Sequence, residues 1–267
     1  MARPPAVAGR FYPNDPLALL EEVQSHLEEK TPKVSALGVI APHAGFQYSG
    51  DVAGTAYSRI EIPDTVILLG PNHTGMGERI AVSSHGSWIM PFGDLEIDAK
   101  LAKAILEDLP IARENEEAHR LEHSLETQLP FLQYFRKRFK FVPICLMRLS
   151  FEESQMLARA IVRAVRPYER PVLIVASSDM THYESHARAS EKDHRAIDQI
   201  LKLDPEGLFR TVEKEGITMC GVNPATVMLA ACKELGATQA ELAGYMTSGE
   251  VSGNMDQVVG YAGVVVY

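Results

Sequence analysis

Three short apolar runs, each ending in a polar loop, decide what architecture is open to this chain: Val66-Ile67-Leu68-Leu69, Val39-Ile40-Ala41 and Pro171-Val172-Leu173-Ile174-Val175-Ala176. A run with no polar face reads as a strand covered on both sides, as in parallel sheets packed between helices. Gly70-Pro71 closes the first run and Pro42 the second, and a histidine follows each, His73 and His43. The third opens into Ser177-Ser178-Asp179-Met180-Thr181-His182. In open α/β sheets, ligands bind outside the carboxyl ends of the strands. These loops therefore mark the edge where function is expected.

Helical periodicity fills the intervals. Leu17, Leu20, Val23 and Leu27 follow Asn14-Asp15-Pro16 at helical spacing, predicting a helix to about Glu29. A second helix is expected from about Val52 to Ile60, capped by Ser49 or Asp51. Others are expected along Ile97–Leu109, Phe151–Val165, about Ser185–Lys202, Pro205–Lys214 and from near Asn223-Pro224. Further strands read over Lys33–Ala41, Arg79–Ser83, Phe139–Leu146, Glu241–Thr247 and Val258–Tyr267. The stretch Glu114–Glu122 is strongly acidic and is expected to be solvated. Pro130 is expected to limit or kink a helix opening near Glu122-His123-Ser124. Strands alternating with helices give an α/β fold, a three-layer α/β/α sandwich around a central mixed sheet, with a single domain over residues 1–267.

Composition narrows the function classes. The formal net charge is −9 and basic residues are scattered, apart from Arg136-Lys137-Arg138, which suit the end of a helix. No nucleic acid partner is expected. No apolar run nears the roughly 18 residues of a membrane span, and Met1-Ala2-Arg3-Pro4-Pro5 lacks a signal-peptide core. A cytoplasmic protein without a membrane partner is the expectation. The three cysteines form no close pair, which argues against a disulfide framework. Cys145 and Cys232 lie in apolar runs, while Cys220 stands in the loop-like Thr218-Met219-Cys220-Gly221.

His43, His73, Asp179 with His182, and Cys220 can converge at one sheet edge although they are far apart in sequence. Two neutral imidazoles and a thiolate suit iron, copper or zinc. Asp179 and His182 read as a catalytic acid–base pair or as an outer support for the ligands. A Ser178–His182–Asp179 triad lacks the Gly-x-Ser-x-Gly elbow it would need. No phosphate loop or dinucleotide fingerprint is present. His26 is expected to have a plain surface or packing role, His119, His186 and His194 to lie on the surface, and His85 in a loop.

Taken together, Ala41-Pro42-His43-Ala44-Gly45, Gly70-Pro71-Asn72-His73, Glu122-His123-Ser124-Leu125-Glu126, Ser177-Ser178-Asp179-Met180-Thr181-His182 and Met219-Cys220-Gly221 resemble the Memo family, also called AmmeMemoRadiSam system protein B. Ala8-Gly9-Arg10-Phe11-Tyr12 and Pro91-Phe92-Gly93-Asp94-Leu95 fit as well, so the resemblance spans nearly the whole chain. It implies a fold similar to the class III extradiol dioxygenases, non-haem iron enzymes with a His, His, Glu ligand set and a histidine base. On that pattern His43 and His73 match the histidine ligands and His182 the base, while Cys220 takes the place of the glutamate. The resemblance implies a redox-active Fe(II) or copper site, with zinc as a further candidate, and His123 and Glu126 lining a substrate pocket. Ring-cleaving dioxygenase activity and a vestigial pocket that binds a small molecule, peptide or protein are the alternatives. The family's system name implies a radical-SAM enzyme and an AMMECR1-type protein as partners.

Overall fold

The computed structural model describes residues 2–28, 31–168 and 170–267. In chain order the strands are β1 (Ala2–Arg3), β2 (Gly38–Ala41), β3 (Thr65–Pro71), β4 (Ile80–Val82), β5 (Ser87–Trp88) and β6 (Leu95–Glu96). There follow β7 (Arg113–Glu114), β8 (Lys140–Leu146), β9 (Val172–Ser177), β10 (His182–Glu184), β11 (Ala240–Thr247) and β12 (Val258–Val266). The helices are α1 (Pro16–Ser25), α2 (Phe46–Ser58), α3 (Ala99–Asp108), α4 (Glu117–Arg120) and α5 (Leu129–Phe135). Then come α6 (Phe151–Val165), α7 (His186–Leu201), α8 (Pro205–Glu215), α9 (Val222–Glu234) and α10 (Ser248–Ser252).

A 9-stranded sheet runs β10-β12-β2-β9-β3-β8-β4-β7, with β11 also paired to β12. Its centre, β2-β9-β3-β8, is parallel, and antiparallel β12 and β4 flank it on either side. The mixed sheet expected from the sequence is therefore present. Successive residues of a strand point to opposite faces, and β3 shows the consequence. Ile67 and Leu69 pack with α3, α6 and α9, while Val66 and Leu68 pack with α1, α2 and α5. Strand β9 divides likewise, Ile174 and Ala176 to one layer and Leu173 and Val175 to the other. All eight side chains are fully buried, and burial of each contributes about 1.5–3 kcal/mol for the larger ones.

Helix ends follow local chemistry. Ser150 and Glu153 form a reciprocal capping box that starts α6. Asp15 accepts from Leu17 N and Ala18 N ahead of Pro16, but α1 stops at Ser25, short of the expected Glu29, which itself lies outside the described residues. The second helix begins at Phe46, six residues earlier than the sequence suggests, because neither expected cap acts as one. Ser49 Oγ donates back to the Ala44 carbonyl, and Asp51 pairs with His26. Pro130 does not end a helix; it occupies the first turn of α5, where no backbone donor is needed.

The larger departure concerns Glu114–Glu122. His119 and Glu122 are fully buried, not solvated. Arg3 draws this segment inward: its Nε donates to the His119 carbonyl at 2.6 Å and its Nη2 to the Glu122 carbonyl at 2.7 Å. The guanidinium lies 4.0 Å above the Trp88 ring, a cation–π contact.

Candidate metal centre

The carboxyl ends of β2, β3 and β9 deliver His43, His73 and Asp179 to one edge. Two glycines let the remaining parts close in. A Cβ at Gly221 would press into Ser177 O and the Ser178 side chain, so glycine brings Cys220 against the end of β9. A Cβ at Gly70 would meet Ser124 Oγ and Leu125, so glycine lets the Glu122–Leu125 turn lie on the end of β3.

The ligand atoms of His43, His73 and His123 all lie within 4.8 Å of one another. The His73 and His123 rings stack at 4.6 Å and 20°, and His43 meets each edge-on. Cys220 Sγ approaches His43 Nε2 to 3.3 Å, and Asp179 Oδ2 stands 4.0 Å from the same nitrogen. Sequence reasoning places His123 in the pocket lining; in the structure its ring nitrogen shares the space between the two histidines. Phe11 packs against His123, with ring centroids 4.9 Å apart.

Glu122 organises this group. Its carboxylate accepts His73 N at 2.6 Å, His73 Nδ1 at 2.9 Å, His123 N at 2.9 Å and Ser124 N at 2.8 Å. Burial pushes its pKa up, but the hydrogen bonds and the His73 and His123 rings prevail and hold it at about 2. An ionised carboxylate can only accept. His73 Nδ1 therefore carries a proton, the arrangement a metal-binding histidine adopts against a carboxylate. Burial, first, holds His43 and His123 below their ordinary range, so both are neutral imidazoles at neutral pH. Burial and the nearby Asp179 push the Cys220 thiol up. Burial likewise raises Asp179, whose Oδ1 accepts the His43 amide at 2.8 Å.

His182 is half-buried on β10. Its backbone amide donates to Thr218 Oγ1 at 2.7 Å and its Nδ1 to the Thr218 carbonyl at 3.0 Å, which leaves Nε2 bare. The next residue, Tyr183, has φ of 61° at a register shift between His182 and Glu184. Such bulges bend a strand and re-aim its side chains.

Glu126 sits apart from this chemistry. Its Oε1 accepts from Tyr12 OH and Val7 N and its Oε2 from Arg3 Nη1 and Ala6 N, so the residue anchors the N-terminal segment. Both carboxylate oxygens are thereby occupied. Glu122, Ser177 and Gln128 are the contributors that sequence reasoning missed. Glu122 and Ser177 stand inside motifs that the sequence singles out without giving either a role, and Gln128 carries no signal of its own.

A cleft of about 440 Å³ opens beside the histidines, lined by Asn72, His73, Phe209, Met219, Cys220 and Val222. A larger cavity of about 1020 Å³ lies where β3 and β8 begin, among Thr65, Asp98, Lys140 and Tyr168. That is the opposite end of the strands from the histidines. At this carboxyl edge the three imidazoles bring their ligand atoms together, and the Cys220 thiol meets one of them, His43.

A family model described as Memo-like protein matches residues 3–265. The chain belongs to the Memo family. It is 41% identical to a MEMO1 family protein of Methanopyrus kandleri, over 99% of each chain. It is 43% identical to one of Aquifex aeolicus over 98% of each. The fold is similar to the crystal structure of an uncharacterized Escherichia coli K12 protein, with a TM-score of 0.53 at 13% identity, covering 85% of this chain and 98% of that one. Among the described residues no helix is long and apolar enough to cross a membrane.

Proposed function

We propose that this Memo-family chain holds one Fe(II) or copper ion at the strand-end pocket and serves as a metal-dependent redox protein. His43 and His73 are the central ligands in this reading, Cys220 supplies the thiolate and His123 completes the nitrogen side. The observation that carries it is the mutual approach of the His43, His73 and His123 ligand atoms within 4.8 Å. Neutral imidazoles and a thiolate form a donor set that iron, copper and zinc share. A bound iron or copper supplies one-electron redox chemistry, which zinc does not.

The chain's own residues divide the remaining work. Glu122 orients His73 and His123. Asp179 fixes the His43 loop through the His43 amide. His182, whose ring is fixed by its Thr218 contacts, is the base in this reading. Phe11 packs against the His123 ring.

The test is metal analysis of untagged protein, purified without chelator, beside a His43→Ala, Cys220→Ser variant and a His123→Ala variant. The reading expects iron or copper near one equivalent in the parent and its loss in the double variant. Equal metal in the parent and the double variant sinks it.

A further inference from the structure

Proton accounting around His43 leads beyond its role as a ligand. His43 Nδ1 lies 2.8 Å from Ser177 Oγ. The same hydroxyl is 2.6 Å from the Ser124 carbonyl oxygen and 2.8 Å from Gln128 Nε2. A serine oxygen has one proton to give and two lone pairs to fill. The Ser124 carbonyl can only accept, so the Ser177 proton points there.

The Gln128 amide is equally constrained. Its Nε2 faces the Pro42 carbonyl at 2.9 Å, and its Oε1 accepts from Tyr57 OH at 2.8 Å. The hydrogen-bond network thus assigns which end of the amide is nitrogen. Gln128 Nε2 must then donate to Ser177 Oγ and fill one lone pair. The other is satisfied only when His43 Nδ1 carries a proton. Ser124, Ser177, Gln128 and Tyr57 are all fully buried, so water offers no substitute partner.

We propose that Ser177 is a positioning residue whose hydroxyl holds His43 in the Nδ1–H tautomer, and that the Glu122–Ser124 turn imposes this tautomer on His43 and His73 together. One end of the turn provides the carboxylate for His73 Nδ1, and the other provides the carbonyl that aims the Ser177 hydroxyl. His43 Nε2, 3.3 Å from Cys220 Sγ, is left with a lone pair. The opposite tautomer would place a hydrogen where a ligand bond has to form. The functional meaning of the lock rests on the reading of these histidines as ligands; the tautomer itself does not.

Two readouts test the proposal. Long-range proton–nitrogen NMR of metal-free, ¹⁵N-histidine-labelled protein reports which nitrogen of His43 is protonated. The expected spectrum shows Nδ1 protonated and Nε2 bare. Ser177→Ala is expected to move His43 toward the Nε2–H form and to weaken Co(II) binding, read by visible absorption, by about 10–100-fold. Ser177→Thr, which keeps a hydroxyl, is expected to retain both properties.

Parent His43 protonated on Nε2, or a folded Ser177→Ala variant with an unchanged tautomer, overturns the proposal. Should Ser177→Ala not fold, the parent spectrum alone decides. If the parent takes up neither Co(II) nor Fe(II), the metal reading fails while the NMR result still decides the lock.

Discussion

Arg3 Nη1 lies 2.7 Å from Glu126 Oε2, with both side chains buried and a sequence separation of 123. The pair ties the first strand to the segment that carries Glu122 and His123. Removing one member of a buried ion pair leaves the other uncompensated, which costs about 3–5 kcal/mol. Arg3→Ala is expected to lower the stability measured by urea titration by that amount and to loosen the His119–Glu126 segment in hydrogen exchange. A stability within about 0.5 kcal/mol of the parent, the range of an ordinary surface change, would show that the pair does not anchor the segment.

Acid should unfold the protein in a way that traces to His119. Its ring is fully buried, and neither ring nitrogen has a hydrogen bond of ordinary geometry. Burial, then the Arg3 charge, lower its pKa from 6.5 to about 3, against weaker opposing effects of the Ala81 backbone and Glu122. The folded state thus binds this proton less readily than the unfolded chain. The associated stability is present above 6.5 and is lost as pH falls toward about 3. Glu122 acts in the same direction lower down, between its ordinary 4.5 and about 2. His119→Met should flatten the upper part of the acid slope in urea midpoints taken from neutral to acid pH. An unchanged slope would assign the acid response to other groups.

Gly221→Ala is predicted to damage the site more than the fold. The added methyl meets Ser177 O and Ser178, and overpacking of this kind costs about 1–3 kcal/mol. The strain falls on the residue beside Cys220. A thermal melt should show a modest drop in Tm, while Co(II) binding loses its thiolate absorption band. Retention of that band at full intensity would mean that Cys220 is not held by this contact.

Tyr183 occupies left-handed backbone and is 75% exposed. A side chain there costs about 1–2 kcal/mol relative to glycine, partly offset by the extra freedom glycine gives the unfolded chain. Tyr183→Gly is therefore expected to leave stability unchanged or raise it by up to about 1 kcal/mol. Destabilisation measured by urea titration would show that the tyrosine ring supports the fold.

Much of this architecture is legible in the amino-acid sequence. Val66–Leu69 and Val172–Ala176 are apolar at every position, so both faces had to be covered, and the two side-chain layers follow from that alone. Helix Phe151–Val165 matches its expectation residue for residue because its capping box lies within four consecutive positions. His43 and His73 are legible for a similar reason: each stands within a few residues of the strand end that places it. What escapes sequence reading depends on distant partners. His119 and Glu122 look solvated until Arg3, more than a hundred residues away, is seen beneath them. Ser177 and Gln128 become informative only when their respective partners, the Ser124 and Pro42 carbonyls, are known. Glu126 shares a motif with His123, yet one helical turn directs it to the N-terminal segment instead of the cleft.

The place of β12 has a consequence in time. This strand lies between β2, which leads to His43, and β10, which carries His182. On a chain emerging residue by residue from the ribosome, both strand-end histidines appear early and Cys220 follows His43 by 177 positions. Until Val258–Val266 has been synthesised, β2 and β10 have no common neighbour to align them. A nascent chain therefore exposes the His43, His73 and His123 imidazoles well before the Cys220 thiol, and β10 gains its pairing partner only as Val258–Val266 joins the sheet.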